Sequence, residues 1–172
     1  MTNPAPAGAL EELPREAVER FDRELARVVE NYPSDRKAAA MLPALRLGQD
    51  IFGYCSTAVQ KLAADRLGVS PARAEEVATF YVMFHTEPLG RHLVEVCTNV
   101  SCCLSGAERI FEHLKAKLGV KNGGTTADGR ITLREVECLG SCGTAPAMLL
   151  DEQEMLERLD VQRVDQIVGG LK

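Results

Sequence analysis

HLVEVCTNVSCCLSGAERIFEHLKAKLG, residues 92–119, is the stretch whose reading decides the fold. It reads as a strand over 92–96 and a helix over 104–118, with a cysteine-bearing loop between them. A glycine-rich loop follows at 119–129, and ITLREVECLGSC, residues 131–142, again runs from a strand (131–137) into a cysteine pair. A strand around Ala147–Leu150, a turn at DEQE, a short strand at MLERL and a last helix from about Val161 complete the pattern. Strand, crossover helix and strand, then a hairpin and a helix, make an α/β layer arrangement. The Gly123–Gly124 and Asp128–Gly129 pairs read as turns before the Ile131 strand rather than as a phosphate cradle.

Cys97 and Cys102 lie in CTNVSC, and Cys138 and Cys142 in CLGSC. Each pair follows a strand-like segment, so two separated loops can converge on one four-thiolate centre. Ser101, Gly140, Ser141 and Gly143 crowd the thiols with small residues, which lets backbone N–H groups approach sulfur closely. Thiolates are soft ligands that select zinc or iron–sulfur. The C-x4-C gap lies within the zinc range, and neither pair is the C-x-x-C of a dithiol catalyst. A plant-type ferredoxin would read C-x4-C-x2-C, whereas 35 residues separate the pairs here. None of His85, His92 or His113 falls within a cysteine pair, which removes a Rieske centre. The residues themselves thus leave two candidates, an iron–sulfur cluster and a structural zinc module. Cys55, in GYCST, has no partner at ligand spacing and reads as a small buried hydrophobe.

The first half of the chain has a different character. Residues 1–9 are rich in Pro, Ala and Gly and read as a mobile tail. A helical domain is expected over 10–85. Its first helix places Val18, Phe21, Leu25, Val28 and Val29 on one face. Ser34 can cap a second helix, which Pro43 should kink or break and Gly53 should end. Ser56 and Thr57 start a third, stopping at Gly68, and Ser70–Pro71 opens a fourth, with helical signals as far as about residue 84. Phe80, Tyr81 and Phe84 read as the core side of that last helix, with a partner-binding face as the sharper alternative. TEPLGRH, at 86–92, is a turn-rich junction into a second domain over 86–172.

Composition removes several function classes. The chain has 172 residues, 45% hydrophobic and 26% charged, which disfavours wholesale disorder. Its net charge of −5 divides as −3 over residues 1–90 and −2 over 91–172, so no basic surface suits a nucleic acid. The apolar run Val77–Phe84 is far too short to cross a membrane, and the N-terminus shows no secretory signal. A reducing cytoplasmic setting is therefore expected, with metal binding rather than disulfides as the use of six cysteines. There is no G-x-G-x-x-G after a strand and no G-x-x-x-x-G-K-S/T, so no nucleotide site is recognisable.

VCTNVSCCLSGAE at 96–108, GGTTADGRITLREVECLGSCGTAP at 123–146 and the run Ala74 to Tyr81 resemble, in order and spacing, the 24-kDa subunit of NADH:quinone oxidoreductase (respiratory complex I). That family has a thioredoxin-like [2Fe–2S] ferredoxin domain, and the resemblance covers roughly residues 14–171. It implies an α+β chain: an N-terminal helical domain, then a thioredoxin-like α/β domain carrying one [2Fe–2S] cluster on Cys97, Cys102, Cys138 and Cys142. It further implies an electron-transfer subunit with no complete active site of its own. FMN and NADH would sit on a flavin-bearing partner subunit, clasped in part by the helical domain. The location implied is cytoplasmic, or peripheral on the cytoplasmic face of the inner membrane through the larger complex. The same module looks like parts of NAD-dependent formate dehydrogenases and hydrogenases. Cys103 departs from the family, which commonly has another residue there; its side chain is expected to point away from its neighbour's, toward packing or the outer surroundings of the cysteine loop, as a spectator.

Overall fold

The computed structural model describes residues 13–172. The tail expected over 1–9 lies outside the described residues. The chain divides into two compact units, one running through Pro88 and the other from Leu89 to Lys172.

The first unit is helical. α1 (Arg15–Val29) turns Phe21 and Leu25 into the core, with Val28 and Val29 packed beside them. A 3-10 turn at Lys37–Ala40 leads into α2 (Met41–Phe52). The structure differs from expectation here. Ser34 lies in a turn ahead of the 3-10 segment and caps nothing, and Pro43 occupies the first turn of α2 without breaking it. The first N–H groups of a helix have no intrahelical acceptor, so a proline there forfeits no bond. α3 (Thr57–Leu67) starts where the Ser56 hydroxyl accepts from Val59 N–H, and α2 and α3 both stop at left-handed glycines, Gly53 and Gly68.

α4 (Pro71–Phe80) ends earlier than the apolar pattern suggests, at Tyr81. The expected aromatic core is corrected accordingly: Phe84 is 5% exposed, but Phe80 is 76% and Tyr81 39% exposed, as are Val82 and Met83 at 73% and 42%. Phe80 ends α4 away from the face that buries Ala74 and Ala78, and beyond it the 3.6-residue period no longer assigns Tyr81, Val82 and Met83 to one face.

The second unit is built on a five-stranded sheet in the order β2-β3-β1-β4-β5. β1 (His92–Cys97) is central. It pairs in parallel with β3 (Ile131–Val136) and antiparallel with β4 (Met148–Leu150), and β5 (Glu154–Leu156) completes the hairpin. The short β2 (Gly124–Thr125) lies inside the expected loop and pairs with β3. Val94, Val96, Ile131, Leu133, Met148 and Leu150 form one apolar core with α6 (Ala107–Leu118) and α7 (Val161–Gly170). On the alternate residues of β1 and β3, Glu95 and Arg134 face each other in register and form an ion pair.

The helix expected over 104–118 is in fact two. α5 (Val100–Leu104) stops, and α6 begins at Ala107 after Gly106, whose φ of 95° is a left-handed conformation that a side chain disfavours. The helix end expected beside the cysteines thus starts three residues later than the sequence pattern suggests.

Candidate metal centre

Parallel pairing in register puts the ends of β1 and β3 side by side, with Cys97 opposite Val136. Both cysteine loops therefore leave the same edge of the sheet. The first is fixed by backbone bonds at 3.0 Å from Cys97 N–H to the Ala147 carbonyl and from Thr98 N–H to the Val136 carbonyl. The short α5 then turns the chain back on itself. It brings Cys102 to Cys97, each 3% exposed, in an apolar nest with Ala107 and Ala147. Burial, and then hydrogen bonding with Cys97, push the Cys102 thiol up to about 11.

The second pair is open. Cys138 lies two residues beyond β3, where Gly140 N–H donates to its sulfur at 3.4 Å. Cys142 begins a 3-10 turn (Cys142–Thr144) packed against α5, the helix that carries Cys102. Both are exposed, and all six cysteines are free thiols. Among the described residues, no three His, Cys, Asp or Glu surround a single point. Two bridged irons take thiolates as two pairs. The donor set, one buried pair and one open pair at the same sheet edge, fits the binuclear group.

Cys103 is half-buried, and its Sγ–H donates to the Thr98 carbonyl at 2.9 Å. Its side chain thus closes the loop it belongs to, while its neighbour Cys102 packs with Cys97. Cys55 is fully buried in the helical unit, donates to the Leu45 carbonyl at 3.3 Å, and is pushed up to about 12 by burial. The histidines make other bonds. His92 Nδ1 is 2.9 Å from Asp151, and His113 Nε2 is 2.7 Å from Asp165, tying α6 to α7.

Sequence reasoning missed Glu157 altogether. Its Oε1 accepts from the hydroxyls of Ser141 at 2.8 Å and Thr144 at 2.5 Å, the residues that bracket the Cys142 turn. These two bonds, Thr144 first, hold its carboxyl below the usual carboxylate range. Fourteen residues separate Glu157 from Cys142, and no spacing rule links a loop carboxylate to hydroxyls so far away.

Two cysteine loops on one edge of a small mixed sheet, backed by helices, are the frame on which a ferredoxin-class module can hold a cluster. The family model for the thioredoxin-like [2Fe–2S] ferredoxins matches residues 25–172, and the chain belongs to that family. It is 42% identical over 149 residues to the second E-type subunit of NADH-quinone oxidoreductase from Rhizobium meliloti (strain 1021), covering 87% of each chain. It is 37% identical to the E-type subunit of NADH-quinone oxidoreductase from Mycobacterium bovis, covering 96% of this chain and 64% of that one. Among solved structures, an NAD+-reducing [NiFe]-hydrogenase in the air-oxidised state shares the fold, with a TM-score of 0.65 and 24% identity over 80% of this chain. The match spans 24% of the hydrogenase chain.

Proposed function

We propose that this chain is the iron–sulfur electron-transfer subunit of an NADH dehydrogenase complex of the NADH-quinone oxidoreductase type. One [2Fe–2S] cluster is held by Cys97, Cys102, Cys138 and Cys142. The observation that carries this is the buried Cys97–Cys102 pair at the sheet edge from which the Cys138–Cys142 turn also emerges. When bound, such a cluster supplies reversible one-electron transfer, at a potential that all-thiolate ligation keeps low. Cys97 and Cys102 exclude water from its inner side. Cys138 and Cys142 present sulfur at the surface, where an electron donor can approach.

The division of labour follows the two units. Residues 86–172 carry the cluster, and residues 10–85, which have no catalytic motif, serve contact with a flavin-bearing NADH-oxidising subunit. The exposed Phe80, Tyr81, Val82 and Met83 support a contact role, because apolar side chains grouped at a surface mark interaction sites. Among the described residues no helix is long and apolar enough to cross a membrane. Attachment at the cytoplasmic face of the inner membrane would then run through the complex. The hydrogenase likeness is one of fold, whereas the 42% identical relative favours the quinone-linked assembly.

Iron and acid-labile sulfide analysis of anaerobically purified protein, with an EPR spectrum after dithionite reduction, tests the cofactor directly. Two irons and two sulfides per chain with an S = 1/2 signal are expected. Stoichiometric zinc without visible absorbance would overturn the assignment.

A further inference from the structure

Beyond the four thiols, we infer that Glu157 is a positioning residue for the Cys142 turn, and that its carboxylate is a fixed negative charge that lowers the cluster's reduction potential. This rests on the assignment of Cys142 as a ligand made above.

The chain following β5 acts as a strap over the second cysteine loop. Past the last paired residues of the hairpin, Met148 and Leu156, the two segments continue side by side. Arg158 N–H donates to the Thr144 carbonyl at 2.8 Å, and Leu159 N–H to the Pro146 carbonyl at 3.1 Å. Glu157 is thereby set beside the turn, and one of its oxygens gathers the Ser141 and Thr144 hydroxyls at 2.8 and 2.5 Å. Thr144 N–H donates to the Ser141 carbonyl at 3.1 Å, so the turn containing Cys142 and Gly143 is closed across its base by backbone and held from outside by Glu157. Cys142 is exposed and Gly143 brings no side chain to pack. Burial orders Cys97 and Cys102, whereas at the exposed Cys142 the clamp adds to the contact that its turn makes with α5.

A second feature points the same way. Arg158 is held at φ 51°, the left-handed region that non-glycine residues adopt only at a cost. That cost is retained where a tightly determined geometry requires it. Here the turn of the chain at residue 158 comes directly after its backbone bond to Thr144, and the next residue, Leu159, donates to the Pro146 carbonyl at 3.1 Å. Hydrogen bonds to a carboxylate are about twice as strong as neutral ones, which suits an acid better than an amide for this task.

The electrostatic consequence has a definite sign. Adding an electron makes an all-thiolate centre more negative, and a nearby fixed anion opposes it. Removing the charge must therefore favour the reduced form.

The test uses the whole chain with its cluster, comparing the parent with Glu157→Gln and Glu157→Ala by EPR-monitored redox titration and by the rate of loss of visible absorbance under a chelator. Glu157→Gln keeps an acceptor for both hydroxyls but not the charge. It is expected to bleach within twofold of the parent rate, yet to show at least a threefold higher reduced-to-oxidised ratio at a fixed potential, about 30 mV at 59 mV per tenfold for one electron. Glu157→Ala should show the same upward shift and bleach at least threefold faster. The double variant Ser141→Ala/Thr144→Val removes the donors and leaves the carboxylate, and should bleach fast without the upward shift. If Glu157→Ala fails to fold, the glutamine and double variants still decide the matter. Unchanged potentials in the Glu157 variants, or parental bleaching where the clamp is cut, would overturn the inference. A parent that holds no iron and sulfide at all would instead overturn the cluster assignment on which it rests.

Discussion

Replacing Arg134 by alanine should destabilise the sheet whose edge carries both cysteine loops. Arg134 faces Glu95 in the parallel register of β3 and β1, and its Nε donates to Glu95 Oε1 at 2.8 Å. The Glu95 side chain is 7% exposed and that of Arg134 is 21%. Removing the arginine leaves the carboxylate desolvated, and breaking a buried pair from one side costs roughly 3–5 kcal/mol. Because Arg134 is partly open to solvent, the lower end, about 3 kcal/mol, is the better expectation. For a unit of this size each kcal/mol moves the melting midpoint by about 4–8 °C, so a fall of at least about 12 °C is expected. Anaerobic melts followed by far-UV circular dichroism and by visible absorbance would measure it. The paired replacement Glu95→Leu/Arg134→Met should recover most of the loss, since an apolar pair of similar volume carries no buried charge. A single variant that loses less than about 1 kcal/mol, or a double variant as unstable as the single, would refute the reasoning.

Cys103→Ser should keep full cluster content, since a hydroxyl can still donate to the Thr98 carbonyl, whereas Cys102→Ser should lower it strongly; metal analysis and EPR would show the reverse order if Cys103 were the ligand. Native Cys55, with its pKa pushed up to about 12, should resist iodoacetamide at pH 8 and react only on unfolding, as peptide mapping by mass spectrometry would reveal. Gly48→Ala would place a Cβ 2.5 Å from Val59 Cγ1, and should cost about 1–3 kcal/mol in denaturant melts, with Val59→Ala relieving much of it in the double variant. Asp165 is held below its usual 3.8 first by Lys117 and then by His113, so its contribution to stability is complete above about pH 4 and is lost as pH falls through the lower folded value. Acid titration of stability in Asp165→Asn should lack that component.

What the sequence made legible was local chemistry. The Ser56 cap, the stops at Gly53 and Gly68 and Pro71 at the first turn of α4 each depend on a few neighbouring atoms, and each lies where residue type predicts. The cysteine pairs were legible for the same reason, because spacing past a strand end is a local quantity. Features set by tertiary contact were not. β2 is two residues long and exists because β3 offers it an edge, and the α5–α6 break at Gly106 interrupts a run whose apolar residues remain helical in spacing. Tyr81 could not be placed without knowing that α4 stops just before it. Glu157 carries no signal of its own, since what it grips is contributed by a distant loop.

Parallel pairing of β1 with β3 has one consequence for how far such a chain can drift. The 35 residues between the cysteine pairs travel out along α6 and return through β3, ending where they began. Their number therefore carries no geometric information about the sulfurs. A longer α6 or a longer loop at 119–130 would leave the thiols where they are, whereas one residue added between Val136 and Cys138 would displace a sulfur by a full chain step. Length is free in the crossover and fixed only in the last few residues after each strand, so relatives of very different size can share this edge unchanged.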